Sequence, residues 1–220
     1  MQGLGETIGC AESTVWNYIH EMVPYIRREL PASLLEQWQQ EGDSVERAEL
    51  EAWLAELPEG ELLVDTWEQP IARPQEDDEQ EAYYSGKKKM HTRKNQLISL
   101  PKGTDIVDVV IGEKGPRSDS KLFEQTQAEL PESLKFIGDK AYIGRPNTTT
   151  PIKKPRGAQL TQEQKDFNQT VSQARVDVEH LIRVIKIFRI AQERFRMRAR
   201  MYEEVIGCVC GLVRLRLQYV

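Results

Sequence analysis

The sequence predicts an α/β fold in which helices flank a mixed β-sheet, with a small helical module at the N-terminus. Short apolar and β-branched runs between residues 61 and 139 indicate strands. Two long stretches after residue 160 repeat apolar residues at helical spacing and indicate helices that cover the sheet. With 220 residues, 39% of them hydrophobic, the chain can form one sizeable domain and a small appendage.

Residues 1–30 are predicted to form a partial helix-turn-helix module that binds DNA. Gly9 lies at the predicted turn, and Val15 and Tyr18 follow it by six and nine residues, as the apolar contacts of a second helix do. The side chains that would face DNA are Ser13, Thr14, Trp16, Asn17 and His20. The alternative is a plain packing hairpin. The chain begins almost at the first helix, so the module is expected to be incomplete, and Pro24 is expected to kink or end the second helix.

Residues 31–60 are predicted to be an acidic helical linker. Their apolar residues recur at helical spacing in two groups: Leu34, Leu35 and Trp38, then Leu50, Trp53 and Leu54. We interpret these tryptophans as core anchors rather than as ligand-binding residues.

From residue 61 onward the predicted order is three strands, a helix, a strand and two long helices. The strands are predicted at 62–65, 91–100, 105–111 and 136–139, and the helices at 118–130, 161–192 and 201–218. Residues 144–160, rich in proline, threonine and lysine, are expected to be irregular. Asp65 ends the first strand, Asp139 ends the fourth and Glu179 lies on a later helix, which predicts three carboxylates at one edge of the sheet.

The net charge of −5 conceals an uneven distribution. Residues 31–80 carry 15 acids and 2 bases, a net charge of −13, whereas residues 81–220 carry 26 bases and 16 acids, a net charge of +10. Seven arginines or lysines and one glutamate lie in residues 183–200. A basic body joined to an acidic insert favours a polyanionic partner over ordinary solvated faces.

Signals for a membrane or secreted protein are lacking. The sequence has no run of 18 apolar residues, and its N-terminus does not resemble a signal peptide. The odd number of cysteines and the apolar setting of Cys208 and Cys210 favour buried, reduced thiols over a metal site. We therefore expect a cytoplasmic protein without a membrane partner, associated with the nucleoid when it binds DNA.

Asp65, Asp139 and Glu179 are the candidate catalytic and metal-binding residues. Two divalent ions about 4 Å apart can activate the nucleophile and stabilise the leaving oxygen in phosphodiester cleavage, and carboxylates suit Mg²⁺ or Mn²⁺. At about 100° per residue, Arg175, Glu179 and Lys186 fall within roughly 40° of one another, so the two cations could hold a phosphate. Taken singly, a turn-forming aspartate or a surface ion pair explains each acid; together, in a basic body, they favour a site.

Four stretches of the sequence resemble the DDE-type transposases of bacterial insertion sequences, which are related to the Harbinger-like endonucleases. They are Leu-Val-Asp65-Thr-Trp-Glu-Gln-Pro-Ile, Tyr-Tyr-Ser-Gly-Lys-Lys-Lys-Met-His-Thr-Arg-Lys-Asn-Gln, Gly-Asp139-Lys-Ala-Tyr-Ile-Gly and Arg175-x3-Glu179-x6-Lys186. The last is similar to the family signature Tyr-x2-Arg-x3-Glu-x6-Lys, with Ser172 at the tyrosine position. The resemblance covers residues 61–220 strongly and residues 4–30 weakly.

The resemblance implies a ribonuclease-H-like catalytic domain over residues 61–220, with Asp65, Asp139 and Glu179 as the metal-binding triad. It implies cleavage of double-stranded DNA at terminal inverted repeats, followed by attack of the freed 3′-hydroxyl on target DNA, and we expect a homo-oligomer on DNA. The predicted DNA contacts near a hairpin tip are Lys87, Lys88, Lys89, His91, Arg93 and Lys94, and the alternative is a solvated tip. Asp119 is assigned to helix capping instead of metal binding.

Two other functions remain open. One is a catalytically silent or truncated DNA-binding protein derived from a transposase, against which the intact triad argues. The other is a repair or recombination nuclease on the same scaffold, which a preference for terminal repeats would distinguish from a transposase.

Overall fold

The computed structural model describes residues 6–40, 52 and 61–218. The helices are α1 (Glu12–Glu29), α2 (Leu34–Gln40), α3 (Asp77–Tyr83), α4 (Asp119–Glu129), α5 (Gln162–Ile187), α6 (Arg189–Gln192) and α7 (Tyr202–Gln218). The strands are β1 (Glu61–Pro70), β2 (Tyr84–Ser85), β3 (Met90–Ser99), β4 (Ile106–Lys114), β5 (Lys135–Ile137) and β6 (Thr148–Thr149).

The sheet combines antiparallel and parallel strands. β3 lies between β1 and β4 and is antiparallel to both. β5 runs parallel to β1, and β6 runs parallel to β5. The two residues of β2 pair with the start of β3. The predicted mixed sheet flanked by helices is confirmed, and it fits a ribonuclease-H-like fold.

Successive side chains of β1 point to opposite faces of the sheet. Leu63 and Trp67 belong to the core cluster formed with α5 and α7. Leu62 and Val64 belong to the cluster on the opposite face, with α4. Asp65 has the parity of Leu63 and Trp67, so its carboxylate lies on the α5 side of the sheet.

The predicted long helix is present as α5, followed by a break and the short helix α6. It begins with a capping box, in which the Thr161 hydroxyl accepts from the Gln164 amide and the Gln164 side chain accepts from the Thr161 amide. It ends before Phe188, whose backbone is extended. Gly103, at a φ of +64°, lets the middle of α5 approach the sheet, because a Cβ there would lie 3.1 Å from the Asp177 carbonyl oxygen.

Sequence analysis predicts that Pro24 kinks or ends its helix. Pro24 does not end the helix, because α1 continues for more than one turn beyond it. Contacts with α7 hold the helix on both sides of the proline. The Cys208 thiol donates to the Val23 carbonyl over 3.2 Å, and the Arg27 side chain lies against Gly207. Tertiary packing thus outweighs the hydrogen bond that proline removes.

Three other boundaries differ from the sequence expectations. β1 does not end at Asp65 but continues to Pro70, so Asp65 lies within the strand. β4 does not end at Gly112 but passes through it, because Gly112 adopts a φ of +86° and its amide donates to the Asn95 side chain over 3.0 Å at a register shift. Residues 144–160, expected to be irregular, contain β6. Its pairing includes the hydrogen bond from the Gly138 amide to the Thr149 carbonyl. Two-residue strands carry too little pattern for sequence analysis to detect.

At the N-terminus, the helical residues 6–8 and a turn precede α1, which packs on α7. Gly9 lies at the turn with a φ of +69°, as predicted, and the buried Val15 anchors α1. The role of this segment as a DNA-binding helix-turn-helix is not confirmed and stays a prediction. Trp38 packs against the core beside α4, as an anchor does. The second predicted apolar group, Leu50, Trp53 and Leu54, lies outside the described residues.

Arg214 of α7 joins the N-terminal segment to the sheet. Its side chain is only 3% exposed and forms a double ion pair with Asp105, at 2.8 and 3.1 Å. It also donates to the carbonyls of Pro31 and Ser33 and to the side chain of Gln37. A single buried guanidinium therefore satisfies acceptors from two separate parts of the chain, residues 31–37 and Asp105.

Cys208 and Cys210 are buried and unpaired in disulfides, as predicted, while Cys10 is half-buried. Burial raises the pKa of Cys210 to about 12, so its thiol stays protonated at neutral pH. Within the described ranges, no helix combines the length and apolarity needed to cross a membrane.

Candidate active site

Three acids from separate elements converge on one side of the sheet. Parallel pairing aligns Leu63 of β1 with Ile137 of β5, and each strand reaches its acid, Asp65 or Asp139, two residues later. Glu179 lies on α5 above them.

Arg175, one turn before Glu179 on α5, links the acids. Its Nη2 lies 3.2 Å from a Glu179 carboxylate oxygen and 4.0 Å from one of Asp65. In the described part of the chain, the Nε of Arg175 is buried and has no hydrogen-bond partner. One donor of the guanidinium thus remains available to an oxygen ligand at this site.

The surroundings of Asp65 favour its neutral form. Burial raises the pKa of Asp65 to about 6, although the Thr66 amide and the Arg175 cation oppose the shift; the nearby carboxylates of Asp139 and Glu179 raise it further. Both acids are close enough to Asp65 to raise its pKa, as expected if the three carboxylates converge. A site with three nearby carboxylates favours the binding of a cation.

Asp139 is positioned by a tight turn that sequence analysis did not identify. Its side chain accepts a hydrogen bond from the Ala141 amide over 2.7 Å and caps a short 3₁₀ turn. Gly138 packs against the buried Tyr142, because a Cβ at Gly138 would lie 2.7 Å from Cδ2 of that ring. Gly138 and Tyr142 both belong to the Gly-Asp-Lys-Ala-Tyr stretch, so the motif contained the signal.

Lys186 and the hairpin tip bring further cations towards the acids. Burial lowers the pKa of Lys186, and nearby Lys88 lowers it further, while Asp65 opposes the shift. Lys87, Lys88 and Lys89 are all exposed at the tip between β2 and β3. Lys88 and Asp65 are therefore both near enough to Lys186 to affect its pKa.

Lys94 does not lie on the exposed tip, contrary to the sequence expectation. It is 5% exposed, lies 2.5 Å from the Asp119 carboxylate and donates to the Arg117 carbonyl. The preceding residues form the tip, but Lys94 lies within β3 and points to the α4 face, where helix packing covers it. We therefore remove Lys94 from the candidate DNA contacts. Asp119, predicted to cap a helix, does not cap α4: Ser118 is the cap residue and no side-chain cap hydrogen bond forms there. Asp119 is the first residue of α4 and pairs with this lysine.

Arg93 points to the opposite face of the sheet from Lys94 and is half-buried. Its guanidinium lies 5.3 Å from the centre of the Tyr83 ring and 4.9 Å from that of Tyr202. These cation–π contacts hold the side chain between two rings, so a DNA contact by Arg93 would compete with them.

The predicted DNA-facing residues of α1 lie on a different element from the acids. Ser13 and Asn17 are exposed and Thr14 is half-buried. Trp16 stacks on His20 at 3.7 Å between ring centres. α1 packs on α7, whereas the three carboxylates belong to β1, the residues after β5, and α5.

The three carboxylates provide the type of ligand that a divalent ion prefers, since Mg²⁺ and Mn²⁺ bind hard oxygen donors. As the side chains stand, no three acidic, histidine or cysteine groups among residues 6–40, 52 and 61–218 could together hold an ion. The Arg175 guanidinium supplies the positive charge between Asp65 and Glu179. Ion binding would therefore require these side chains to close together.

Asp65→Asn is expected to stabilise the metal-free protein at pH 7.5. The folded-state pKa of Asp65, about 6, lies above its ordinary value of 3.8. This carboxyl therefore adds stability below pH 4 that is lost as the pH rises through 6. Asparagine carries no charge, so Asp65→Asn should raise the free energy of unfolding at pH 7.5 on the order of 2 kcal/mol, or about 5 °C in Tm.

Thermal unfolding in EDTA at pH 7.5 and pH 4 measures this effect, with the exposed Asp78→Asn as control. The gain should shrink at pH 4 and be absent from the control. Added Mg²⁺ should raise the Tm of the unaltered protein more than that of Asp65→Asn. An equal or lower Tm for Asp65→Asn at pH 7.5 would contradict the prediction.

Comparisons with known proteins show to which family the chain belongs. The sequence model of a protein family described as DDE superfamily endonuclease matches residues 64–214. A protein from Microchaete diplosiphon, described as "Probable transposase for insertion sequence element IS702", is 36% identical over 170 residues. These residues are 74% of this chain and 60% of the relative. No solved structure matches the chain.

The family match contains Asp65, Asp139, Glu179, Arg175 and Lys186, so it covers the whole candidate site. It confirms the resemblance that the four sequence stretches indicated. The chain belongs to the DDE superfamily endonucleases.

Proposed function

We propose that this protein is a metal-dependent DNA transposase that cleaves DNA at terminal inverted repeats and joins the freed 3′-hydroxyl to target DNA. The observation that carries the proposal is the convergence of Asp65, Asp139 and Glu179 from β1, the end of β5 and α5, with Arg175 between two of them. Family membership supports the nuclease chemistry, and the described relative supports transposition.

Each residue of the site has a role in this proposal. Asp65, Asp139 and Glu179 would hold two divalent ions, Mg²⁺ or Mn²⁺. Such ions, when bound, promote attack by water or a hydroxyl and stabilise the leaving oxygen. Arg175 would donate from its unpaired Nε to a phosphate oxygen, and Lys186 would hold a neighbouring phosphate.

The finer parts of the proposal rest on the relative as a whole, and this chain spans 60% of its length. Recognition of terminal repeats, strand joining and assembly of a homo-oligomer on double-stranded DNA are therefore proposals. A cytoplasmic location and association with the nucleoid through DNA are also proposals. Lys87, Lys88 and Lys89 are proposed backbone contacts beside the acids, and Ser13, Thr14 and Asn17 are proposed contacts of α1.

Nicking of a supercoiled plasmid by the purified chain tests the chemistry. Conversion to open circles is expected with Mg²⁺ or Mn²⁺ and should stop in EDTA. A second plasmid with the inverted repeats that flank the coding sequence should be cut at the repeat ends. DNA binding without nicking under any metal condition would instead support a silent DNA-binding protein. Nicking without any preference for the repeats would support a different nuclease.

A further inference from the structure

We propose that an arginine strip, defined as Arg194, Arg196 and Arg198, binds the backbone of a DNA duplex and connects the candidate active site to α1. The inference rests on the proposed function and extends it to a surface outside the three carboxylates. The strip would bind any sequence, because it offers phosphate contacts and no base contact.

The backbone conformation makes all three arginines point outward. The segment after α6 is largely extended and joins the end of β1, where the Phe195 amide donates to the Pro70 carbonyl over 2.9 Å. Side chains alternate along an extended segment. Phe195 is accordingly buried, while Arg194, Arg196 and Arg198 are exposed.

A buried hydrogen-bond network holds the start of the strip rigidly. Gln69 of β1, only 1% exposed, donates to the carbonyls of Ile190 and Glu193. The Tyr202 hydroxyl donates to the Gln69 side chain, and the Asn95 side chain donates to that hydroxyl, both over 2.9 Å. Because these residues are already ordered, DNA binding would not require a loop to become ordered, which costs conformational entropy.

The positive charge of the strip is not neutralised within the described residues. Glu193, the one acid between residues 189 and 200, pairs with Arg189 at 2.6 Å. No ion pair between described residues involves Arg194, Arg196 or Arg198. Guanidinium groups in an ordered row suit phosphate oxygens, with which they form bidentate hydrogen bonds.

The chemistry of the strip favours a duplex over a single strand. Proteins that bind single strands combine basic grooves with exposed aromatic rings on which bases stack. Here Phe195 is buried between the arginines and Met197 is half-buried, so the strip itself has no exposed ring. The nearby Trp16 ring of α1 already stacks on His20. Phosphate contact alone is the mode expected for a duplex backbone.

The strip also has the position needed to join two DNA-contacting regions. At one end, the chain leads back through α6 to Lys186, which lies close to Lys88. At the other end, the Arg198 guanidinium lies 5.8 Å from the centre of the Trp16 ring on α1. The five residues 194–198 span up to about 16 Å when extended, or about five base pairs of duplex.

Salt-dependent binding tests the inference with a 40-base-pair fluorescein-labelled duplex of random sequence. Each phosphate contact contributes about 0.9 to the slope of log Kobs against log salt concentration. Arg194→Gln and Arg196→Gln should each lower the magnitude of the slope by about 0.9, and the double variant by about 1.8. These side chains are exposed and outside the ion pairs, so the fold should be retained, which circular dichroism checks.

The matched control removes two exposed lysines elsewhere, Lys121→Gln and Lys135→Gln, on α4 and at the start of β5. The control should keep the slope of the unaltered chain. An unchanged slope for the double arginine variant, or an equal loss in the control, would overturn the strip. If the unaltered chain nicks plasmid DNA in the same preparation, either of these two outcomes would overturn the strip and leave the proposed function standing. If the unaltered chain neither binds nor nicks DNA, the proposed function fails as well.

Discussion

Glu179→Gln should reduce metal-dependent plasmid nicking by at least about a hundredfold while DNA binding persists. Glutamine keeps the shape of the side chain but removes the anionic oxygen proposed to hold a divalent ion. A metal ion contributes several kcal/mol of transition-state stabilisation, and each 1.4 kcal/mol changes the rate tenfold. The variant also loses the nearer charged partner of Arg175, now 3.2 Å away, and leaves Asp65 at 4.0 Å as the remaining one. The guanidinium keeps its charge, so its contact with a phosphate should persist.

Initial nicking rates in Mg²⁺, and the Kd for a labelled duplex in EDTA, separate chemistry from binding. Glu163→Gln is the matched control, since it makes the same change at an exposed position in the first turn of α5. It should nick at the rate of the unaltered chain. Nicking by Glu179→Gln at that rate would exclude Glu179 from the metal-binding residues.

Arg214→Met is expected to lower the free energy of unfolding by about 3–5 kcal/mol, because it removes one partner of a buried ion pair. Asp105 would lose two charge-assisted hydrogen bonds, and the carbonyls of Pro31 and Ser33 would lose their donor. Methionine fills most of the volume but supplies no donor. The N-terminal segment should therefore loosen from α7 as the protein is destabilised.

Chemical denaturation followed by tryptophan fluorescence measures this change. Arg216→Met, two residues along the same helix and exposed, is the control and should change stability by less than about 0.5 kcal/mol. Adding Asp105→Leu to Arg214→Met should recover part of the loss, because the uncompensated carboxylate is then gone. A loss below about 1 kcal/mol for Arg214→Met would show that the buried pair does not hold the segment.

Sequence analysis was most successful where local physics decides the outcome. The helix at 118–130 and the last helix at 201–218 appear as α4 and α7 within one or two residues, because helical periodicity and capping are local properties. The strand that ends before Asp139 and the first half of β1 were also predicted, since β-branched and apolar runs bounded by polar residues carry their own signal.

Sequence analysis was least successful where long-range contacts decide. Lys94 and Arg93 are neighbours in one basic run, yet one lies buried beside Asp119 and the other lies between two tyrosine rings. Which strand face is covered, and by which helix, depends on pairing partners distant in sequence. The passage of α1 through Pro24 has the same origin, since contacts with α7 hold both halves of the helix.

By itself, the sequence determined the order of the longer elements, the three acids and the family signature Arg175-x3-Glu179-x6-Lys186, because residue identity and spacing are written in the chain. The short elements α3, β2 and β6, and α6 as a separate helix, were not predicted. Only the tertiary structure decided that Arg175 lies between Asp65 and Glu179, and that the arginines after α6 form an exposed row. These arrangements depend on parallel pairing of β1 with β5 and on the buried Gln69 network. Such contacts join residues separated by more than 70 positions, so they leave no local pattern to read.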